Sequence, residues 1–309
     1  IIFSIKDMSD KVFDVAIIGS GPAGYSASVY ASRYNLSNVV FGKLPGGTIS
    51  EAHKICNYLG FEEITGYEIG EKFFNHAKNF GADIQTKNVV DIKKDKGIFN
   101  IYTDTKDIFK SKTVILATGT VRRKLAIPNE EKYIGKGVSY CATCDANFFK
   151  NKIVGVVGGS NAATTSALLL SEIADKVYLI YRGEALRGDQ KWVDAVLKNK
   201  RITVIYNTII TSLDGYERLE KVILNKEFDG SKELSLNGLF IEIGSDPNTD
   251  LPSKLGIDTD NFGYVITKED QSTNIDGIWA AGDMTTGSNK FQQVVTATSE
   301  GAIAANSVY

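Results

Sequence analysis

Apolar positions along the chain come in short runs broken by small or polar residues, and they predict two strand–turn–helix units with a distinct segment between them. Lys11 to Ile18 carries Val12, Val15, Ala16, Ile17 and Ile18 and predicts a buried strand. The Ala- and Ser-rich stretch Tyr25 to Tyr34 predicts a helix, and Asn38 to Phe41 a second strand. Glu71 to Asn79 has the spacing of an amphipathic helix ended by Gly81. Ile84 to Ile92 and Ile98 to Thr103 predict paired strands, and Thr113 to Ala117 a buried strand. Val121 to Pro128 then reads as a crossover out of a first domain. The pattern restarts with a strand at Lys152 to Val157, a helix through Ser171 and a partner strand at Lys176 to Tyr181. Ile202 to Tyr206, Thr208 to Leu213, Leu219 to Lys226 and Lys232 to Leu236 predict a sheet add-on. Gly238 to Ile243 is a further apolar strand. The run from Asp276 to Asp283 predicts a short strand, and Gln292 to about Val308 a last helix. Strands alternating with helices predict an α/β fold.

The turns between these elements carry the first chemistry. Gly19-Ser20-Gly21-Pro22-Ala23-Gly24 is a complete G-x-G-x-x-G with a strand before it and a helix after it. The first glycine permits the turn, the second lets a pyrophosphate approach the backbone, and the third lets helix and strand pack closely. The helix N-terminus then faces the phosphates. No acid follows the second strand, which runs into Phe41-Gly42-Lys43, so a ribose must be held otherwise. Pro45-Gly46-Gly47-Thr48 and the strand exit Thr118-Gly119-Thr120 suit a backbone passing close to a flat ring, or else an ordinary turn. Asp283 at a strand exit can accept hydrogen bonds from a sugar-alcohol chain, and the helix start at Gln292-Gln293-Val294 can face an electron-rich ring edge. In the second unit Gly158-Gly159-Ser160-Asn161-Ala162-Ala163 has the register of G-x-G-x-x-A, with Ser160 where the second glycine belongs. Its partner strand ends in Tyr181-Arg182-Gly183, with Arg187 beyond; basic residues there favour a 2′-phosphate over a free 2′-hydroxyl.

Between the two units lies Ser139-Tyr140-Cys141-Ala142-Thr143-Cys144-Asp145. Two thiols at i and i+3 can close a small disulfide ring on one helical turn, and a helix start there raises the thiolate fraction. Asp145 directly after can give or take the proton that thiol–disulfide exchange moves. Half of a zinc site is the alternative, with His53-x-x-Cys56 as the other half. Taken alone, Cys56 reads as a packed small side chain, and His53 and His76 as surface or packing residues. Two nucleotide units flanking a dithiol form a circuit, for which a flavin is the natural middle carrier.

Composition narrows the classes. With 309 residues, 43% hydrophobic and 23% charged, the chain is long enough for two separate cores. A net charge of −2 leaves no electrostatic footprint for nucleic acid. Three cysteines argue against a secreted disulfide framework. No apolar run reaches the length of a membrane span, and Ile1-Ile2-Phe3-Ser4-Ile5 lacks a signal peptide's basic start. A soluble, cytoplasmic protein is expected.

Gly19 to Gly24, Ala117-Thr118-Gly119, Cys141-Ala142-Thr143-Cys144-Asp145 and Ala281-Gly282-Asp283 together resemble the low-molecular-weight thioredoxin reductases, a group of FAD-dependent pyridine nucleotide-disulfide oxidoreductases, over nearly the whole chain. The resemblance implies two Rossmann-like domains: an FAD domain from residues 11–120 and 247–309, and a pyridine-nucleotide domain, residues 121–246, carrying the dithiol. It implies FAD contacts from Gly19, Gly21, Pro22, Ala23 and Gly24, from Gly46, Gly47 and Thr48, and from Asn57, Val90, Thr118 and Gly119. Gly282, Asp283, Gln292, Gln293 and Val294 complete that set. NADPH falls to Gly158, Gly159, Ser160, Asn161, Ala162, Arg182 and Arg187. By position Cys144 faces the flavin, Cys141 attacks the disulfide of thioredoxin or a thioredoxin-like protein, and Asp145 is the proton donor. A homodimer is implied as well. Three motifs depart from the pattern. Ser160 replaces a glycine, Tyr181-Arg182-Gly183-x-x-x-Arg187 stands for H-R-R-x-x-x-R, and Gln292 stands for an arginine. Losing one phosphate contact weakens NADPH by about 1.5–3 kcal/mol. The same dithiol chemistry fed by reduced ferredoxin is the alternative these departures leave open.

Overall fold

The computed structural model describes residues 11–309; Ile1 to Asp10, and with them the opening apolar segment, lie outside the described residues. The chain begins β1 (Val12–Ile18), α1 (Pro22–Arg33), β2 (Asn38–Phe41), α2 (Gly66–Asn79), β3 (Asp83–Gln85), β4 (Val89–Asp95), β5 (Ile98–Thr103), β6 (Ile108–Leu116) and β7 (Thr120–Arg122). It continues α3 (Glu130–Tyr133), β8 (Val138–Ser139), α4 (Ala142–Asp145), β9 (Ile153–Val157), α5 (Asn161–Ile173), β10 (Lys176–Ile180), α6 (Gln190–Lys198) and β11 (Ile202–Ile205). Then come β12 (Ile210–Asp214), β13 (Lys221–Phe228), β14 (Ser231–Ser235), β15 (Gly238–Ile241), β16 (Ser245–Pro247), α7 (Asp250–Leu255), β17 (Ile278–Ala280) and α8 (Val294–Val308). Two compact units result: one from the described residues up to Val121 and from Asp246 onward, the other from Arg122 to Ser245.

In the first unit the sheet runs β3-β2-β1-β6-β5-β4, parallel from β3 to β6, with β17 beside the second half of β6. Both faces of β1 are buried, which is why its sequence reads as a nearly unbroken apolar run. Phe13, Ala16 and Ile18 join a core with Phe99, Phe109, Leu251 and Met284, while Val15 and Ile17 join one with Tyr25, Ala27, Ala304 and Ala305. The small residues of α1 serve the second core. A Cβ on Gly301 of α8 would lie 2.1 Å from the Ala23 carbonyl oxygen, so the two helices meet backbone to backbone. Ser26 Oγ donates across that seam to the Thr298 carbonyl at 2.6 Å.

The second unit has a wholly parallel sheet, β11-β10-β9-β15-β8, and a three-stranded antiparallel sheet, β12-β13-β14. Ala163, Ala167 and Leu170 of α5 close one face of the parallel sheet, and Leu213, Val222 and Leu224 close the other.

Several boundaries differ from the sequence reading. The stretch Ile84 to Ile92 is two strands: Asp83–Gln85 pairs parallel with β2, and β4 begins only at Val89 to form a hairpin with β5. The polar run Gln85 to Asn88 separates them, with the Lys87 N–H turned back onto the Gln85 carbonyl at 2.8 Å. The helix expected from Glu71 starts at Gly66, because Thr65 and Glu68 make a reciprocal capping box. Ile202–Ile205 extends the parallel sheet rather than the add-on, which holds three strands. Helices α6 and α7 were not foreseen. Cys56 is exposed rather than packed, since its neighbour Ile55 and Ile64 fill the local core and pair through their backbones. Among the described residues no helix is long and apolar enough to cross a membrane.

Candidate active site

A cavity of about 920 Å³ opens in the first unit where β1, β2 and β6 end at their C-terminal edge. In parallel sheets this edge is where ligands sit. Gly19, Gly21, Pro22 and Ala23 line it, as do Gly47, Thr48, Asn57, Val90, Thr118 and Gly119. Gly282, Asp283, Gln292, Gln293 and Val294 close the far side. Two of the expected contacts stand back from the wall. Gly24 is pressed behind the turn, where a Cβ would sit 1.9 Å from the Gly19 carbonyl oxygen. Gly46, in the left-handed region at φ 86°, donates its N–H to the Ser20 carbonyl at 2.9 Å and thereby fixes the loop that carries Gly47 and Thr48.

Two helix N-termini are available to this cavity. Gly21 caps α1 with no side-chain hydrogen bond, which leaves the first-turn N–H groups for a ligand. Around Gly21 the space is open: the nearest heavy atom to a Cβ there is the Gly46 carbonyl oxygen at 3.8 Å. Gln293 caps α8 in a capping box with Thr296. Gln292, which stands where the resembled pattern has an arginine, donates through Nε2 to the Asp283 carbonyl at 3.0 Å and the Tyr264 hydroxyl at 3.2 Å. The long cleft, the uncapped helix start and the carboxylate opposite fit an extended dinucleotide such as FAD.

Asp283 is mostly buried, and burial, with the Glu300 carboxylate second, pushes its pKa up to about 6. Glu300 itself was not singled out by the sequence. It is buried on α8 and accepts from the Gly282 N–H at 2.8 Å and the Thr285 hydroxyl at 3.0 Å. It therefore ties the strand exit to the helix that faces it. Between about pH 4 and 6 the folded chain holds a proton on Asp283 that the unfolded chain has released, so stability falls as pH rises through that window. Asp283→Asn is expected to stabilise the cofactor-free chain by about 2–3 kcal/mol at pH 7 and by only about 1 kcal/mol at pH 4.5. Urea titrations at the two pH values measure this, and equal effects at both would sink the account.

In the second unit Cys141 and Cys144 form a disulfide, with sulfurs 2.11 Å apart. The sequence between them explains the geometry. β8 delivers the chain to Cys141, which caps α4, and Ala142 packs into the unit's core. Cys141 Sγ accepts the Cys144 N–H at 3.2 Å, a donor that a thiolate on Cys141 keeps after reduction. Two bracing residues were not assigned a role from the sequence. Ser139 Oγ accepts the Cys141 N–H at 3.0 Å. The Tyr140 hydroxyl donates to buried Glu130, which also accepts the Leu125 and Ala126 N–H groups; burial and then this carboxylate push the tyrosine pKa up. Asp145 sits on the same turn and borders a cavity of about 580 Å³ with Lys132, Lys136, Lys152 and Arg218. Phe148 and Tyr216 at this cavity are exposed.

The second glycine turn lies at the end of β9. Gly158 takes φ +145°, and a Cβ on it would meet the Glu242 carbonyl oxygen at 2.2 Å. Ser160 caps α5 and is exposed; Asn161 Oδ1 accepts the Asp189 N–H at 2.6 Å. Ala162, Arg182 and Arg187 are exposed, and Arg187 lies over the Tyr181 ring, 5.9 Å from its centroid.

Residues 13–301 match the family described as pyridine nucleotide-disulphide oxidoreductase. A thioredoxin reductase of Mycoplasma genitalium is 39% identical over 304 residues, covering 98% of this chain and 95% of the relative. One of Treponema pallidum is 40% identical over 297 residues, covering 95% of each. Among solved structures, a thioredoxin reductase of Lactococcus lactis superposes with a TM-score of 0.90 at 35% identity, over 96% of this chain and 98% of that one. With a dithiol on a cofactor-type scaffold and relatives along its full length, the chain belongs to the pyridine nucleotide-disulphide oxidoreductase family, among the thioredoxin reductases.

Proposed function

We propose that the chain is an FAD-dependent disulfide reductase that takes electrons from a pyridine nucleotide and delivers them through Cys141 and Cys144 to the disulfide of thioredoxin or a thioredoxin-like protein. The observation that carries this is the disulfide on a helix start beside Asp145, in a chain whose other unit offers a dinucleotide cleft. The unit built on β1 and β6 takes FAD; the unit built on β9 and β10 takes the pyridine nucleotide and holds the dithiol. Bound FAD supplies a two-electron carrier between hydride and sulfur. The first-turn N–H groups of α1 hold its pyrophosphate, and Asp283 accepts from its sugar-alcohol chain.

The chain's own residues carry the rest. Once the pair is reduced, the Cys141 thiolate attacks one sulfur of the partner's disulfide and the other partner sulfur departs. Asp145 gives a proton to the departing sulfur. The Cys144 thiolate then attacks Cys141 Sγ, re-forms the internal disulfide and releases the second partner thiol, so two electrons leave with the partner. The basic residues Lys132, Lys136, Lys152 and Arg218, with exposed Phe148, suit a partner whose disulfide is ringed by acidic and apolar groups. A homodimeric, cytoplasmic enzyme belongs to the same proposal. Reduced ferredoxin as donor has less behind it, because the chain itself matches the pyridine nucleotide-disulphide oxidoreductase family over residues 13–301.

An anaerobic titration tests this. NADPH or NADH is expected to bleach the flavin absorbance, and oxidised thioredoxin to restore it. A chain without flavin, or a reduced flavin that thioredoxin fails to reoxidise, would defeat the reading.

A further inference from the structure

The two glycine turns of this chain can be laid on each other, because Ile18 pairs with Phe41 as Val157 pairs with Ile180. Gly158, Gly159 and Ser160 then stand where Gly19, Ser20 and Gly21 stand, and Tyr181 stands where Gly42 does. The position after the second strand is where a dinucleotide fold holds the adenosine ribose. In the first unit that position is a glycine against a side chain on the turn: a Cβ on Gly42 would lie 2.1 Å from Ser20 Oγ. In the second unit the sizes are exchanged. A Cβ on Gly159 would lie 2.4–2.5 Å from three atoms of the Tyr181 ring, and one on Gly183 would lie 2.6 Å from its opposite edge. The ring therefore lies on the turn itself, between two glycine backbones, and is 6% exposed.

The surrounding loop is fastened over it. The Arg187 N–H donates to the Gly159 carbonyl at 2.7 Å, and the Asp189 N–H to Asn161 Oδ1 at 2.6 Å. Tyr181 is itself held at both backbone groups, donating to Ile205 at 2.9 Å and accepting from Thr208 at 3.0 Å, and Gly183 accepts from Asn207 at 3.0 Å. We infer that Tyr181 sets nucleotide specificity in this enzyme: its ring takes the place of the adenosine ribose on the second turn, so that the 2′-phosphate contributes little and NADPH and NADH are held alike. This rests on the second unit being the pyridine-nucleotide unit. Arg187, which a 2′-phosphate would recruit, is drawn onto the face of the same ring. A nucleotide that engages the adenosine end must first displace a buried aromatic side chain, which costs the burial of that ring.

Isothermal titration of the oxidised holoenzyme with 2′,5′-ADP tests this without turnover. Tyr181→Ala is expected to bind 2′,5′-ADP at least about tenfold more tightly than the unmodified enzyme, and Tyr181→Phe, which keeps the ring, within about twofold of it. An alanine variant that binds no more tightly overturns the inference. Should that variant not fold, the unmodified enzyme decides alone: dissociation constants for NADPH and NADH within about threefold agree with the inference, and a preference for NADPH beyond about tenfold overturns it. Electron delivery from dithionite-reduced enzyme to thioredoxin reads the dithiol exit separately, so failure of the general function and failure of the role of Tyr181 give different results.

Discussion

Serine in place of Cys141 is expected to slow the reduction of thioredoxin by dithionite-reduced enzyme at least about a thousandfold, while FAD content and flavin absorbance stay unchanged. The attacking group must be a thiolate, and a serine hydroxyl at neutral pH is neither ionised nor a comparable nucleophile. The fold already prepares that thiolate: Cys141 caps α4, its sulfur accepts the Cys144 N–H, and Ser139 holds its backbone in place. FAD retention is not touched, because every lining residue of the 920 Å³ cavity belongs to the other unit. Stopped-flow reoxidation of the flavin by thioredoxin measures the effect, and a variant keeping more than about a tenth of the rate would remove Cys141 from its role. The complementary change, Cys144→Ser, leaves the attack but not its resolution. It is expected to trap thioredoxin on Cys141 as a mixed disulfide, visible by mass spectrometry and released by dithiothreitol.

What the sequence made legible follows from how local each cause is. The run Val12 to Ile18, the glycines after it and the Ala-rich helix are dictated by neighbours in sequence, and their places in the structure agree within a residue or two, apart from the helix start, Pro22 against Tyr25. The dithiol closes on itself across three residues and needs no distant partner. Glu130 and Glu300 were illegible because their meaning lies in what reaches them from afar. Glu300 is an acid on an Ala-rich helix until the Gly282 N–H, 18 residues earlier in the chain, is brought against it. Gly301 is likewise an unremarked helix glycine until α1 crosses it with the Ala23 carbonyl. The motif Thr65-Gly66-Tyr67-Glu68 was a missed local signal, since a capping box is written in four consecutive residues. Cys56 failed for the opposite reason: its type favours burial, and the loop holding it spends its burial on Ile55 and Ile64.

The first glycine motif separates into a part that holds the fold and a part that holds the cofactor, and two alanine substitutions are expected to part them. At Gly19 the backbone has φ +130°, and a Cβ would lie 1.9 Å from the carbonyl oxygen of Ala117, the residue that follows β6. Ala117 N–H donates to Ile18 at this point, so neither strand can yield without breaking the central pairing. Gly19→Ala therefore combines a strained backbone with a backbone clash, and is expected to cost the cofactor-free chain more than about 3 kcal/mol, with FAD lost as a consequence. Gly21 has φ −85°, which any residue adopts, and a Cβ there meets nothing nearer than 3.8 Å. Gly21→Ala is expected to change the stability of the cofactor-free chain by less than about 1 kcal/mol. Its methyl group, however, enters the open space in front of the α1 N–H groups, where a pyrophosphate has to come within hydrogen-bond distance. FAD affinity is expected to fall at least about a hundredfold, since losing hydrogen bonds to a charged group costs about 1.5–3 kcal/mol apiece. Urea unfolding of the two cofactor-free variants, with FAD binding followed by quenching of flavin fluorescence, separates the outcomes. If Gly21→Ala unfolds as readily as Gly19→Ala, or if it holds FAD as tightly as the unmodified chain, the cleft above α1 is not where the pyrophosphate lies.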